Sequence, residues 1–429
     1  MTDFLALPPA SEVRGERRVP ASKSGTNRAL LAAALTASRV EIMGPLESDD
    51  TETLRLCLSA MGARFEPVAG GVAVSGPLRG DASREIVLDA RDSGTAARFL
   101  TAAAAATPGR FLLTGSPRLR ERPIGELVDA LRAAGARVDY RGEEGCLPIR
   151  VEGGAWKVSA VAVDASRSSQ FLSALLLAGV AVDGGLTVRA TGEVASAPYV
   201  RTTIETLRAL GHDVEEGAGV QVRRGERLAS RYEIPGDFSS AIPLLAAAGA
   251  AGGSVALTGL RWPSGDADAA AVAVLGQMGL EIAAETSRIE ARASRGALRP
   301  VTVRATEFPD AVPALAALAA LATGESRFVG VGHLRLKESD RIAALAALVS
   351  ASGASAVAEA DALTVIGPAR PRFGARLPTA NDHRIAMAAG LLALSLPGLL
   401  IENPGCVSKS YPRFFADLDS LAVRRSSRQ

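Results

Sequence analysis

Lys23, Arg28, Arg98 and Arg384 stand in the first turns of Ala- and Leu-rich runs that the sequence marks as helices. A cation at a helix N-terminus faces the positive end of the helix dipole and is locally unfavourable. The same place offers unpaired backbone N–H groups, and cations beside such groups form an anion site. More basic residues lie near comparable positions: Arg118, Arg120 and Arg122 in "RLRERPIG", where Pro123 is placed to open a helix, Arg335, Lys337 and Arg341 in "RLKESDR", and Lys409 in "CVSKSYP". Two acids sit among these cations, Asp310 in "EFPDAVPAL" and Glu338 in "RLKESDR". A carboxylate tuned by such neighbours can take or give a proton; plain helix capping is the competing role for Asp310. The chemistry indicated is the binding of small polyanions, phosphates and carboxylates, with two acids at hand for proton transfer.

The elements that must position these groups repeat along the chain. Six stretches share one grammar, small or acidic residues and then an apolar helix. They are "PASKSGTNRALLAAAL" from Pro20, "DSGTAARFLTAAAAA" from Asp92, "SRSSQFLSALLLAGVAV" from Ser166, "GDFSSAIPLLAAAGAA" from Gly236, "FPDAVPALAALAALATG" from Phe308 and "NDHRIAMAAGLLAL" from Asn381. Successive starts lie about seventy residues apart. Between them a second helix type recurs and ends in glycine, at positions 62, 135, 211, 279 and 353, the signal of a left-handed residue just past a helix end. Short β-branched runs such as "EIVLDA", "LTVRA" and "VTVRA" flank these helices. Each unit thus reads as strand-helix-strand-helix-strand, six times over. A chain of 429 residues exceeds what one core usually supports, so three units in each of two domains is the expected α/β architecture, with the division near "EIPGDFSS". If the six helix starts aim at one cleft between the domains, that cleft is expected to attract anions although net charge is only +2.

Composition closes several other routes. The balanced charge and the lack of a basic stripe with interleaved aromatics argue against a nucleic-acid partner. Cys57, Cys146 and Cys406 are far apart and form no CxxC pair, and His212, His333 and His383 are too few for a His-rich metal site. There is no GxxxxGK[ST] loop. The first residues lack a signal-peptide core and no apolar run is long enough for a membrane span. A cytoplasmic monomer with no membrane association is expected, with a frayed tail at "RRSSRQ".

As an ordered set, "PASKSGTNRALL", "DSGTAARFL", "RLRERPIGELVDAL", "SRSSQFLSALL", "SAPYVRTT", "FPDAVPALA", "RLKESDRI", "NDHRIAMA" and "SKSYPRFF" resemble the 5-enolpyruvylshikimate-3-phosphate synthase family over nearly the whole chain. The resemblance implies the two-domain enolpyruvyl transferase fold, with six βαβαββ-type repeats, three per domain. It places residues 20–236 in a first domain, mainly on the shikimate 3-phosphate side, and residues 1–19 with 237–429 in a second. It implies that the 5-hydroxyl of shikimate 3-phosphate attacks C2 of phosphoenolpyruvate while the methylene is protonated, and that the adduct then loses phosphate, with no metal or organic cofactor. Carried over by motif, Lys23, Ser24, Arg28, Ser168, Ser169, Gln170, Ser196, Tyr199, Asp310 and Lys337 would hold shikimate 3-phosphate. Lys23, Gly94, Arg122, Gln170, Arg341, Arg384 and Lys409 would surround phosphoenolpyruvate. Asp310, Glu338 and Lys23 would be the catalytic groups.

The chain departs from the family pattern in places. Arg91-Asp92 replaces the usual Gly-Asn, Ala21 a usual Gly, and Ala197 a common Lys. Asp92 puts a carboxylate near the expected phosphoenolpyruvate pocket, which should weaken binding of that anion and of its mimic glyphosate unless Arg91 or Arg98 neutralises it. Two alternatives keep the fold: the sister enzyme acting on UDP-N-acetylglucosamine, whose usual loop cysteine is missing from "GSPRLRERPIG", and an inactive anion-binding paralogue.

Overall fold

The structure is a computed structural model that describes residues 3–154 and 156–424. The chain divides into two compact units, residues 21–234 and residues 1–20 with 235–429. The tail expected to fray lies, beyond Arg424, outside the described residues.

The second repeat shows the pattern in full. Strand Glu85–Asp89, helix Gly94–Ala106 and strand Gly109–Thr114 are followed by helix Gly125–Ala133 and a strand pair, Arg137–Tyr140 and Ile149–Gly153. The first two strands are parallel, in register Glu85 to Arg110, because a helical crossover returns the chain in the same direction. The last two are antiparallel, and the later one inserts beside Gly109–Thr114, so the spatial order is first, second, fourth, third. The third and fifth repeats follow the same order. A repeat therefore has four strands and not the three that its apolar pattern shows.

The first and fourth repeats obtain their leading strand from elsewhere in the same unit. Arg231–Glu233 runs parallel to Val40–Met43 and closes the first sheet. Glu12–Arg18 runs parallel to Gly253–Thr258 in the fourth, where Ala422–Val423 adds a fifth, antiparallel strand at the edge. The sixth repeat departs further: its sheet has three strands, Arg376–Leu377, Leu400–Glu402 and, antiparallel, Phe4–Ala6.

The helices sort by sequence into two roles. The repeat-opening helices are apolar nearly all round and are correspondingly enclosed; every residue of Phe238–Ala251 is buried. Their alanines add little bulk, so neighbouring helices can approach closely. The second helices are amphipathic: in Gly125–Ala133 the buried residues are Leu127, Val128, Ala130 and Leu131, one stripe on a 3.6-residue period. Five of them end at the expected glycines, all with left-handed φ between 84° and 102°. Each unit has its own core, the larger side chains contributing about 1.5–3 kcal/mol each when fully enclosed. Trp262 packs on one core, its ring centroid 6.1 Å from that of Phe238, and Trp156 packs on the other. Among the described residues no helix is long and apolar enough to cross a membrane.

Candidate active site

In residues 21–234 the expected groups collect at the starts of the three opening helices. Ser22, Ser93 and Ser168 cap these helices, each side chain accepting from a backbone N–H two or three residues on. Lys23, the first residue of its helix, is buried and pairs with buried Asp50 at 3.2 Å. Arg28 lies five residues further along the same helix. Its Nη1 donates to the Ser24 carbonyl at 3.0 Å, Nη2 to the Tyr199 carbonyl at 3.0 Å and Nε to Thr203 Oγ1 at 2.7 Å, while the guanidinium stacks over Phe99 at 5.3 Å. One guanidinium thereby joins the first opening helix to Pro198–Ala209 of the third repeat, which the fork of donors on arginine makes possible.

Gln170 Nε2 donates to Thr95 Oγ1 at 3.2 Å and links the second and third helix starts. Ser169 is buried beside it. Ser196 adopts a left-handed φ of 55°, and its buried Oγ has no hydrogen-bond partner among the described residues. Gly94 permits the position of Arg122: a Cβ there would stand 2.4 Å from Arg122 Nη1. Arg98 donates to the carbonyls of Gly94 and Pro123. Asp92 is exposed and accepts from Ser116 Oγ, and Arg91 pairs with Glu52 at 3.6 Å. Pro123 does not open a helix as expected. Pro117 opens the short helix Pro117–Arg120, whose cap is Ser116, and the next helix begins at Gly125.

The other unit brings Asp310, Glu338, Arg341, Arg384 and Lys409 into one cluster. Arg341 is at its centre and only 1% exposed. Nε donates to Asp382 Oδ2 at 2.8 Å, Nη1 to Asp310 Oδ1 at 2.7 Å and Nη2 to Glu338 Oε2 at 2.9 Å. Burial works against its charge, but Asp382, Glu338 and Asp310 hold its pKa well above the usual arginine range. A charge this deep needs such partners, since an unpaired one would be several kcal/mol unfavourable. Arg384 donates to the Ser239 carbonyl at 2.7 Å and to Ser239 Oγ, and lies 3.4 Å from Asp310 Oδ2. Lys409 Nζ is 3.9 Å from Glu338 Oε1. Lys337 follows the short 3-10 turn Gly332–Leu336. In that turn, burial together with Lys337 and Arg341 lowers the pKa of His333 to about 4. Asp310 is not an N-cap: Ala311 holds that place for helix Val312–Leu321, and the Asp310 carboxylate faces two arginines.

Asp50 and Thr203 were not singled out from the sequence, and Ser239 and Asp382 stand out there only as members of the helix-start stretches "GDFSSAIPLLAAAGAA" and "NDHRIAMAAGLLAL". Asp50, Ser239 and Asp382 stand at helix starts, where a capping role accounts for an Asp or Ser by itself. The signal available was proximity to a motif cation, Arg384 for Asp382.

The chain matches the family model described as EPSP synthase (3-phosphoshikimate 1-carboxyvinyltransferase) over residues 7–418. It is 37% identical over 434 residues to the 3-phosphoshikimate 1-carboxyvinyltransferase of Serratia proteamaculans, covering 98% of this chain and 99% of the relative. It is 38% identical over 428 residues to that of Tolumonas auensis, with 98% and 99% covered. Among solved structures, an EPSP synthase from Acinetobacter baumannii superposes with a TM-score of 0.80 at 26% identity, covering 99% of both chains. The enolpyruvyl transferase NikO from Streptomyces tendae shares the fold, with a TM-score of 0.75 at 21% identity over 97% of this chain and 96% of that one.

Proposed function

The chain belongs to the EPSP synthase family, and on that premise we propose that it transfers the enolpyruvyl group of phosphoenolpyruvate to the 5-hydroxyl of shikimate 3-phosphate. The hydroxyl oxygen adds to C2 of phosphoenolpyruvate as the methylene carbon takes a proton. The tetrahedral adduct then loses inorganic phosphate from C2 and a proton from the new methyl, leaving an enol ether.

Lys23, Ser24, Arg28, Ser168, Ser169, Gln170, Ser196 and Tyr199, with Asp310 and Lys337, are the groups assigned to shikimate 3-phosphate. Lys23, Gly94, Arg122, Gln170, Arg341, Arg384 and Lys409 are assigned to phosphoenolpyruvate. Arginine matches a carboxylate or phosphate through two parallel N–H bonds, and lysine acts as a point charge. Asp310 would accept the proton of the attacking hydroxyl, and Glu338 would serve the methylene carbon. Lys23 and the arginines would stabilise charge that shifts onto the phosphate as it leaves.

The observation that carries this reading is the single guanidinium of Arg341 with Asp310 and Glu338 on it at 2.7 and 2.9 Å. Two acids and a carboxylate-binding arginine in one buried cluster are what addition and elimination across an enol require. Phosphate release on mixing shikimate 3-phosphate with phosphoenolpyruvate is the test. Release that needs both compounds is expected, with none when UDP-N-acetylglucosamine replaces shikimate 3-phosphate. Absence of release with both substrates would overturn the reading.

A further inference from the structure

We infer that Asp382 is a positioning residue for phosphoenolpyruvate, fixing Arg341 and Arg384 together from behind; this rests on the function proposed above. Asp382 is 0% exposed. A carboxylate with no access to water must be matched by donors where it stands. Its Oδ1 accepts from the backbone N–H of Arg384 at 2.9 Å and from Nη2 of Arg341 at 3.3 Å. Its Oδ2 accepts from Nε of Arg341 at 2.8 Å and from Ser339 Oγ at 3.0 Å. A helix cap accounts for the first of these bonds alone.

The geometry divides the Arg341 guanidinium by edges. The Nε–Nη2 edge belongs to Asp382. The Nη1–Nη2 edge faces Asp310 and Glu338, whose side chains are 17% and 15% exposed. With the inner edge held, a two-bonded substrate carboxylate would have to take the place of these acids on the outer edge. The inner edge sets the plane and reach of the fork. Through the Arg384 amide the same carboxylate pins the start of helix His383–Ser395, from which the second arginine projects. One side chain that touches no substrate thus sets the spacing of two arginines assigned to phosphoenolpyruvate.

Asp382→Asn separates this role from capping, because the amide oxygen still accepts from the Arg384 N–H while the charge and one acceptor are lost. With purified full-length protein, the expected result is a KM for phosphoenolpyruvate raised about tenfold or more, and a KM for shikimate 3-phosphate within about twofold of wild type. A purely structural role would lower the melting temperature and the active fraction and leave both KM values alone. Should Asp382→Asn not fold, Ser339→Ala removes one bond to the same carboxylate oxygen, and a rise of about two- to fivefold in the phosphoenolpyruvate KM is expected. An unchanged phosphoenolpyruvate KM in the variant that folds, or equal rises in both KM values, would overturn the inference. A wild-type protein that releases no phosphate overturns the parent reading, and the inference falls with it.

Discussion

A methyl group on Gly94 would stand 2.4 Å from Nη1 and 2.7 Å from Cζ of Arg122. The guanidinium is the mobile end of its side chain, so it is the part that gives way. Gly94→Ala should therefore leave stability within about 1 kcal/mol of wild type and raise the KM for phosphoenolpyruvate about tenfold, read in the phosphate-release assay. Asp92 is the second residue to test. It is exposed, so its field is screened, and Asp92→Asn should tighten phosphoenolpyruvate and glyphosate by about two- to fivefold. Equal affinities in both proteins would show that its charge does not reach the site. At this scale Lys23 and Arg384 were readable because both break a rule, standing in the first turn of a helix, at the wrong end of its dipole. Asp382 and Ser239 break none: both satisfy the preference for Asp and Ser at helix starts, and the guanidinium that each also holds lies far away in sequence, 41 and 145 residues in turn.

Among the elements, the glycines that end the second helices all have left-handed φ but differ in their surroundings. At Gly62 a Cβ would find its nearest neighbour at 3.8 Å, whereas at Gly353 it would meet the Arg370 carbonyl oxygen at 2.1 Å. Gly62→Ala should cost about 1–2 kcal/mol, the left-handed penalty alone. Gly353→Ala should cost about 1–3 kcal/mol more, since backbone must move; urea unfolding of the two variants measures the difference. The periodic glycines and apolar helices made six repeats legible. That pattern did not show the fourth strand of the first, second, third and fifth sheets, because strands such as Arg64–Val68 are short, half exposed and carry little alternation. Nor could the pattern show that Phe4–Ala6 completes the sixth sheet, a pairing across almost the whole chain.

For the whole molecule, two histidines set the behaviour in mild acid. Burial, helped by Arg224, lowers the pKa of His212 to about 4, and burial with Lys337 and Arg341 does the same for His333. In the unfolded chain both titrate near 6.5. Between about 6.5 and 4 the unfolded state takes up protons that the native state refuses, so stability present above 6.5 is lost as pH falls. The melting temperature should drop between pH 7 and pH 5, and drop less in His212→Gln. The chain has two tryptophans, Trp156 against the core of residues 21–234 and Trp262 against that of the other unit. Each unit therefore carries its own fluorophore, and no label is needed to watch them apart. With Trp156→Phe the remaining emission reports residues 1–20 with 235–429; with Trp262→Phe it reports residues 21–234. Coincident midpoints in denaturant would mark one cooperative transition, and separate ones would give the order in which the halves of this repeat protein come undone.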